Sequence, residues 1–564
     1  MSVISRFDPP VSSHLTRASL TRAGLDAYRA QFFALAASCF AEALRLDPTD
    51  GAAQINLANA LWSLGALDYA ATIAEAALAQ AHPTVQFEAW MINGAIRLAR
   101  GNALGAVNAY HAAVTCAPSA ATAHAGLAAA LLQAGQSEAA SAQADVALTL
   151  NPACTHAQAS KAASLAAQAD FTSAITAYDQ IIAANPNDAT AWLNRAAAKL
   201  DLDLLSDAQA DLATATRLDP SSLEAWVTRG YAACLAGNLT EAIAHAEQAI
   251  SLNPEHPQPH WNRGIALLLL GDYHSGFAAY EWRKRHKIHG KSFTTLPAPL
   301  WQGEINPCEN GMGKHLLIRA EQGMGDTIML ARFIPELAAR GLRITLACAP
   351  SLHRLLSALP ANVINLTTPP PDLHFDYAID QMSLPLALHL TRESIPAPAA
   401  YLTANPDLQA SAQSWLAQHT NSSKRKIGFV WAGNPEHDND RRRSLPPGIL
   451  KPLLANPHFT AIALQHGPRR GEYPIPDAIT QVHDYADTAA LISSLDAVVS
   501  VDTSVAHLAG ALGVPCHILL STACDWRWGL IGCESLWYPS VRLHRQTQLG
   551  DWQAPLRSLT AALR

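Results

Sequence analysis

The chain has 564 residues, too many for one hydrophobic core, and 49% hydrophobic against 15% charged residues excludes a disordered polypeptide. A formal net charge of -7 supplies no global basic field for nucleic acid or an anionic membrane. Nine cysteines form no CxxC pair, as expected of buried free thiols in a reducing compartment, and with no signal pattern and no apolar run of about 18 residues a cytoplasmic protein is expected.

After an N-terminal extension, 1–16, Pro48, Pro83, Pro118, Pro152, Pro186, Pro220 and Pro254 recur every 34 or 35 residues. Gly65, Gly135, Gly237 and Gly271 follow a proline by 17 residues, and Gly101 fits with a slip of one, where a tight turn must separate two antiparallel helices. Trp90, Trp192 and Trp226 fall on first helices and Phe40, Tyr110, Tyr178 and Tyr280 on second helices, where aromatics are expected to be core. This period resembles the tetratricopeptide repeat and predicts an all-α superhelix of about eight repeats over 17–288. Asn56, Asn194 and Asn262 each stand eight residues after a proline, while Gly126, Ser160 and Thr228 fill the same position in other repeats. The pattern resembles the asparagine ladder of O-linked N-acetylglucosamine transferases, which implies that these three asparagines bind an acceptor polypeptide along the groove. The basic run from Tyr280 to Lys287 is expected to be a solvated helix end. A proline- and glycine-rich linker is expected over 289–312.

Past Gly313 short apolar runs alternate with helical stretches. Leu316–Ile318 and Ile344–Ala347 flank a helix expected over Asp326–Arg340, and the series restarts with Ile427–Trp431, Ala461–Leu464, Ala497–Val501 and His517–Leu520. Strand–helix–strand order of this kind predicts α/β structure with parallel sheets: a lobe over 313–405, a linker over 406–425 and a second lobe over 426–564. The ligand of such a pair belongs in the cleft at the carboxyl ends of the strands.

In the first lobe Gly323 and Gly325 allow close backbone approach to a ligand, and Asp326 is expected to cap the following helix with its carboxylate in the cleft. In the second lobe a strand runs into Asp502-Thr503-Ser504-x-x-His507. A diphosphate suits the N-terminus of the new helix, with hydroxyls from Thr503 and Ser504 and a donor from His507, while Asp502 suits sugar or ribose hydroxyls. Asn434 and Arg443 follow the lobe's first strand and face the same cleft. Arg443 is the expected phosphate ligand, with Arg441 and Arg442 solvated or salt-bridged, and Gln465 is expected near the nucleotide. His437-Asp438-Asn439-Asp440 reads as a polar loop, so neither a metal nor a cofactor is expected.

From about Trp301 to Arg564 these motifs resemble bacterial family 9 glycosyltransferases, the lipopolysaccharide heptosyltransferase group, with two Rossmann-like lobes of GT-B type. The resemblance implies that Asp326, in Met324-Gly325-Asp326, is the general base and that Asp502, Thr503 and His507 hold the donor. Ser504 stands where the family has glycine, and Arg443 where it has lysine. Repeats followed by such lobes are also similar in layout to flagellin glycosyltransferases. Together these imply an inverting, metal-independent transfer from a nucleotide-sugar to a Ser or Thr hydroxyl of a protein held by the repeat arm, flagellin among the implied acceptors. Two alternatives are a heptosyltransferase-like enzyme acting on lipopolysaccharide or another glycan, and a repeat scaffold with inactive lobes. The aromatic stretches Asp525-Trp526-Arg527-Trp528 and Trp537-Tyr538-Pro539 are expected to pack the second lobe.

Overall fold

The computed structural model describes residues 16–80, 82–286, 294–303, 313–365, 373–421 and 423–564. The extension expected at 1–16, Thr16 apart, lies outside the described residues, as do Cys308 and most of the linker expected at 289–312. The chain divides into two compact units, Met1–Pro220 and Ser221–Arg564.

Among its described residues the first unit is all-helical, its antiparallel pairs running from Arg17–Arg29 to Leu205–Leu218. Fully buried alanines such as Ala53, Ala74, Ala106 and Ala128 line the contacts, so backbones approach closely. Phe40, Tyr110 and Tyr178 are buried, as their positions predicted. The Tyr110 ring fills room left by two glycines: a Cβ on Gly94 or Gly126 would lie 2.8 or 2.3 Å from it. Gly126 occupies a ladder position, so the ladder breaks there because an aromatic needs the space.

Within each pair the turn residue is left-handed, with φ of 74° at Gly65 and 76° at Gly135. Repeats without that glycine keep the same backbone, with φ of 62° at Gln31, 61° at Ala169 and 60° at Asp203. An L-residue there costs about 1 kcal/mol. Ala169→Gly should therefore stabilise the protein by roughly 0.5–1 kcal/mol and Gly135→Ala destabilise it by a similar amount, read as opposite shifts of the urea unfolding midpoint.

The second unit opens with two more helix pairs, Leu223–Leu235 with Leu239–Leu252 and Pro257–Leu270 with Tyr273–Tyr280, then the 3-10 turn Glu281–Arg285. The repeat array expected to end as its own domain at 288 is thus divided at Pro220, and its last pairs belong with the sheets. The first sheet comprises β1 (His315–Arg319), β2 (Arg343–Cys348), β3 (Asn362–Asn365) and β4 (Tyr377–Asp380), in the order β3-β2-β1-β4. The second comprises β5 (Arg425–Val430), β6 (Phe459–Ala463), β7 (Ala497–Val501), β8 (Cys516–Leu520) and β9 (Val541–Arg545), in the order β6-β5-β7-β8-β9. All neighbours in both sheets are parallel.

Several expectations need correction. The helix expected over Asp326–Arg340 is two, Met324–Leu330 and Phe333–Ala339, because Pro335 has no N–H and its ring crowds the Ala331 carbonyl. The linker expected at 406–425 is mostly the helix Pro406–His419, which buries Ala412 and Leu416, and its end begins β5. Part of the linker expected at 289–312 is structural too: Leu300 bridges Ala378 beside β4, and Trp301 is buried. Cys154, Cys348 and Cys516 are buried thiols, but Cys533 is exposed.

The basic run after Tyr280 is a solvated helix end only in part: Arg285 is exposed, and Lys287 lies outside the described residues. Arg283 is fully buried, its Nε and a terminal nitrogen reaching the two Glu321 oxygens at 2.9 and 2.7 Å and the Ser383 hydroxyl at 2.9 Å. Tyr273 and Phe277, on the last repeat helix, pack on Trp526, and Tyr273 also stacks on Trp537. A chain starting at Trp301 loses all of these partners and should not fold, whereas Ser221–Arg564 should unfold cooperatively, as circular dichroism melts of the two fragments would report.

Candidate functional site

In the second sheet β5 lies between β6 and β7, so the loops leaving β5 and β7 part at a topological switch point, where parallel sheets open a crevice. The β5 loop carries Gly433, Asn434 and Arg443, and the β7 loop carries Asp502, Thr503 and the helix Ser504–Ala511. The helix Met324–Leu330, which follows β1, packs against that helix: a Cβ on Gly325 would fall 2.7 Å from the His507 ring and 3.3 Å from the Ser504 Cα. Glycine at 325 is thus what lets the two helix starts meet.

Asp326 is the third residue of its helix rather than the cap, which is Gly323. Its carboxylate is split: Oδ2 accepts the Gly323 N–H at 2.8 Å, and Oδ1 meets the Arg527 guanidinium at 2.5 Å. Arg527, only 7% exposed, also reaches Asp525 at 2.7 Å. Burial pushes the Asp326 carboxyl up, Arg527 opposes the rise and Asp525 adds to it, leaving the group above its ordinary value. Burial works against ionising Asp525 as well, but Arg527 prevails and holds it low.

Burial, reinforced by Asp525, brings the Asp502 carboxyl up to about 6. Burial and the Arg527 charge bring the His507 imidazole down to about 3, so it is neutral at physiological pH. His507 bonds the Tyr538 hydroxyl at 2.9 Å and stacks on Trp528 at 4.9 Å. It is a packed core histidine at the meeting of two helices, not an open cationic donor. The Thr503 hydroxyl pairs with Ser500 at 2.9 Å and Ser504 with the Tyr485 hydroxyl at 2.7 Å.

Arg443 is mostly buried, pairs with Asp440 at 3.1 Å and covers Gly433, where a Cβ would lie 2.5 Å from a guanidinium nitrogen. Its charge reaches Asp502, which puts it in the crevice. Arg442, expected to be solvated or salt-bridged, is buried and donates to the Tyr231 hydroxyl of a repeat helix at 3.2 Å, while Arg441 is exposed. Asn434 is exposed, its side chain accepting the Glu436 N–H at 3.2 Å to close a turn.

Gln465 must be corrected. It is 1% exposed, its oxygen accepts the Trp431 and Ala432 N–H groups at 2.9 Å, and its nitrogen donates to the Ala432 and His466 carbonyls. A side chain saturated by backbone ties the β5 loop to β6 and has no valence left for a nucleotide. The ladder also needs revision: the Asn194 amide bonds the Tyr178 hydroxyl, and Asn262 donates to the Val227 carbonyl at 3.3 Å and accepts from Gln258. These two amides tie helices together rather than face a guest peptide; Asn56 is half-buried.

The groups that sequence reasoning missed are Arg527 and Asp525. Their signal was a charged pair set among tryptophans just past the strand His517–Leu520, a poor place for charges unless they meet partners.

With this geometry in hand, the comparisons divide unevenly. The tetratricopeptide repeat profile matches residues 21–85, 160–205, 196–257 and 236–281. The chain carries tetratricopeptide repeats. Protein FlbA of Caulobacter vibrioides is 26% identical over 320 residues, 51% of this chain, and the chain spans about half, 52%, of that relative's length. A tetratricopeptide repeat protein from Parabacteroides merdae is 16% identical with a TM-score of 0.38, covering 44% of this chain and 98% of its own. Pseudomonas aeruginosa pilF is 15% identical with a TM-score of 0.32, covering 37% and 97%. Among the described residues no helix is long and apolar enough to cross a membrane.

For Asp502 the folded-state value lies above the unfolded one, so its contribution to stability is full below about 4 and is lost as pH rises through about 6. Asp502→Asn should raise stability at pH 7.5 by about 2 kcal/mol and leave it nearly unchanged at pH 4, measured by denaturant melts at both values.

Proposed function

We propose that the second unit is an inverting glycosyltransferase of GT-B type, using a nucleotide-sugar and a Ser or Thr hydroxyl of a protein acceptor, flagellin among the candidates. The observation that carries this reading is the convergence, at the carboxyl edges of parallel strands, of the Asp326 carboxylate, beside Asp502 and Asp525, with two arginines and a helix N-terminus. Those are the needs of the reaction: a base for the acceptor hydroxyl and fixed positive potential for a departing diphosphate.

In this mechanism the acceptor oxygen attacks the anomeric carbon as the carbon–phosphate oxygen bond breaks, and the hydroxyl proton passes to Asp326. The nucleoside diphosphate leaves with the bonding electron pair. Arg443 and the N–H groups opening the helix Ser504–Ala511 receive that charge. Gly325, by allowing the two helices to touch, holds base and phosphate site in register. The repeats supply the protein-binding surface, although the internal bonding of Asn194 and Asn262 directs attention to groove residues other than the ladder.

A second reading is favoured by the ion pair on Asp326: a base already neutralised by Arg527 suits a ligand-gated adaptor with inactive lobes. Turnover separates the two. A thermal-shift screen over nucleotide-sugars identifies a donor, since a ligand bound only by the folded state raises the melting temperature. With that donor, Asp326→Asn should lower kcat by about 10²–10⁴-fold without weakening donor binding. Retained turnover would remove Asp326 from the base role, and no turnover in the wild type with donor bound would favour the adaptor.

A further inference from the structure

Arg527 is the most heavily committed charge in the second unit. One terminal nitrogen lies 2.5 Å from Asp326, the other 2.7 Å from Asp525, and its buried Nε has no hydrogen-bond partner. It sits on a three-residue turn, Trp526–Trp528, just beyond the carboxyl end of β8, and the next residue, Trp528, stacks on His507 of the helix whose N-terminus is the proposed phosphate site. The guanidinium is therefore bonded to the base and close enough to the anion site for its charge to bear on Asp502 and His507, with its Nε–H unspent. A guanidinium binds phosphate bidentately at least as well as it binds a single carboxylate oxygen.

We propose that Arg527 is exchanged between Asp326 and the diphosphate of a bound ligand: in the empty site it holds the Asp326 carboxylate, and an arriving diphosphate draws it away and frees that carboxylate. Asp525, also bound to Arg527, keeps the guanidinium in place through the exchange. The base is thus masked until a ligand is present, which suppresses proton abstraction from water or acceptor in the empty enzyme. This inference rests on the anion site of the proposed transferase.

The groups facing Asp326 are Arg527 and Asp525 beyond β8, His437 beyond β5 and Tyr280 of the last repeat helix. Among the described residues Arg527 is the group bonded to both Asp326 and another carboxylate. The test is a double-mutant cycle on the full chain with inorganic pyrophosphate as probe, by calorimetry at pH 7.5. Asp326→Asn releases Arg527 and should tighten pyrophosphate binding about tenfold; Arg527→Gln should weaken it about tenfold. In the Arg527→Gln background Asp326→Asn should then give less than about a twofold gain, because no guanidinium remains to be released. Simple repulsion between Asp326 and the anion predicts the opposite, a gain that persists or grows without Arg527, and that result overturns the exchange while leaving the anion site intact. Absence of pyrophosphate binding by the wild type overturns both the exchange and the transferase reading. Should Arg527→Gln not fold, Arg527→Lys takes its place: its lone ammonium, left on Asp525, has nothing to release, and a full tenfold gain from Asp326→Asn in that background overturns the proposal.

Discussion

The second unit depends on one buried ion pair. Arg283, fully enclosed, is held by both oxygens of Glu321, and Glu321 also accepts the Met382 N–H at 2.9 Å. A charge taken out of water is tolerable only when matched and hydrogen-bonded, and leaving either partner alone there costs about 3–5 kcal/mol. The pair joins the end of the last repeat to the turn that begins at Glu321 and delivers Asp326 five residues later. Gln322 in that turn has a φ of 62°, and its amide meets the Tyr280 hydroxyl. The repeat is therefore part of what shapes the turn.

The aromatic packing follows the same plan. Trp526 and Trp537 are buried against Tyr273, Phe277 and Tyr280, so the last repeat helix supplies the wall on which the loop beyond β8 rests. On the other side Arg332 reaches the Trp537 and Pro396 carbonyls at 2.6 and 2.8 Å and lies over the Tyr538 ring at 4.6 Å. The backbone of Arg527 is held in position because its neighbours on the turn cannot move without disturbing these contacts. Rigid support of this kind is what allows a single guanidinium to address two carboxylates.

How much of this was legible depended on whether a feature is local. Helix pairs announced themselves through proline and glycine spacing, and six parallel strands through short apolar runs, because period and turn chemistry are carried by neighbouring residues. The strands β3, β4 and β9 went unseen because they are short and, in β9, interrupted by Arg542 and His544. Asp326, Arg443 and the Asp502–His507 segment reach the crevice from their positions after strands. Gln465 and His507 misled because a polar residue at a strand end looks the same whether it faces a ligand or closes a backbone gap. Arg283 was illegible for a more basic reason: its partner Glu321 lies in another element, and a lone charge in a basic run shows no sign of being buried.

The division at Pro220 gives the repeat array two kinds of member. Pairs before it pack on their neighbours through small apolar residues, so one 34-residue unit resembles the next and the arm can be lengthened or shortened by whole units. The last pair has no such freedom, since Tyr273, Phe277, Tyr280 and Arg283 are committed to the sheets. Arm length is thus an evolutionary variable that can change without touching the residues around Asp326, and related chains can differ in reach while keeping the same chemistry.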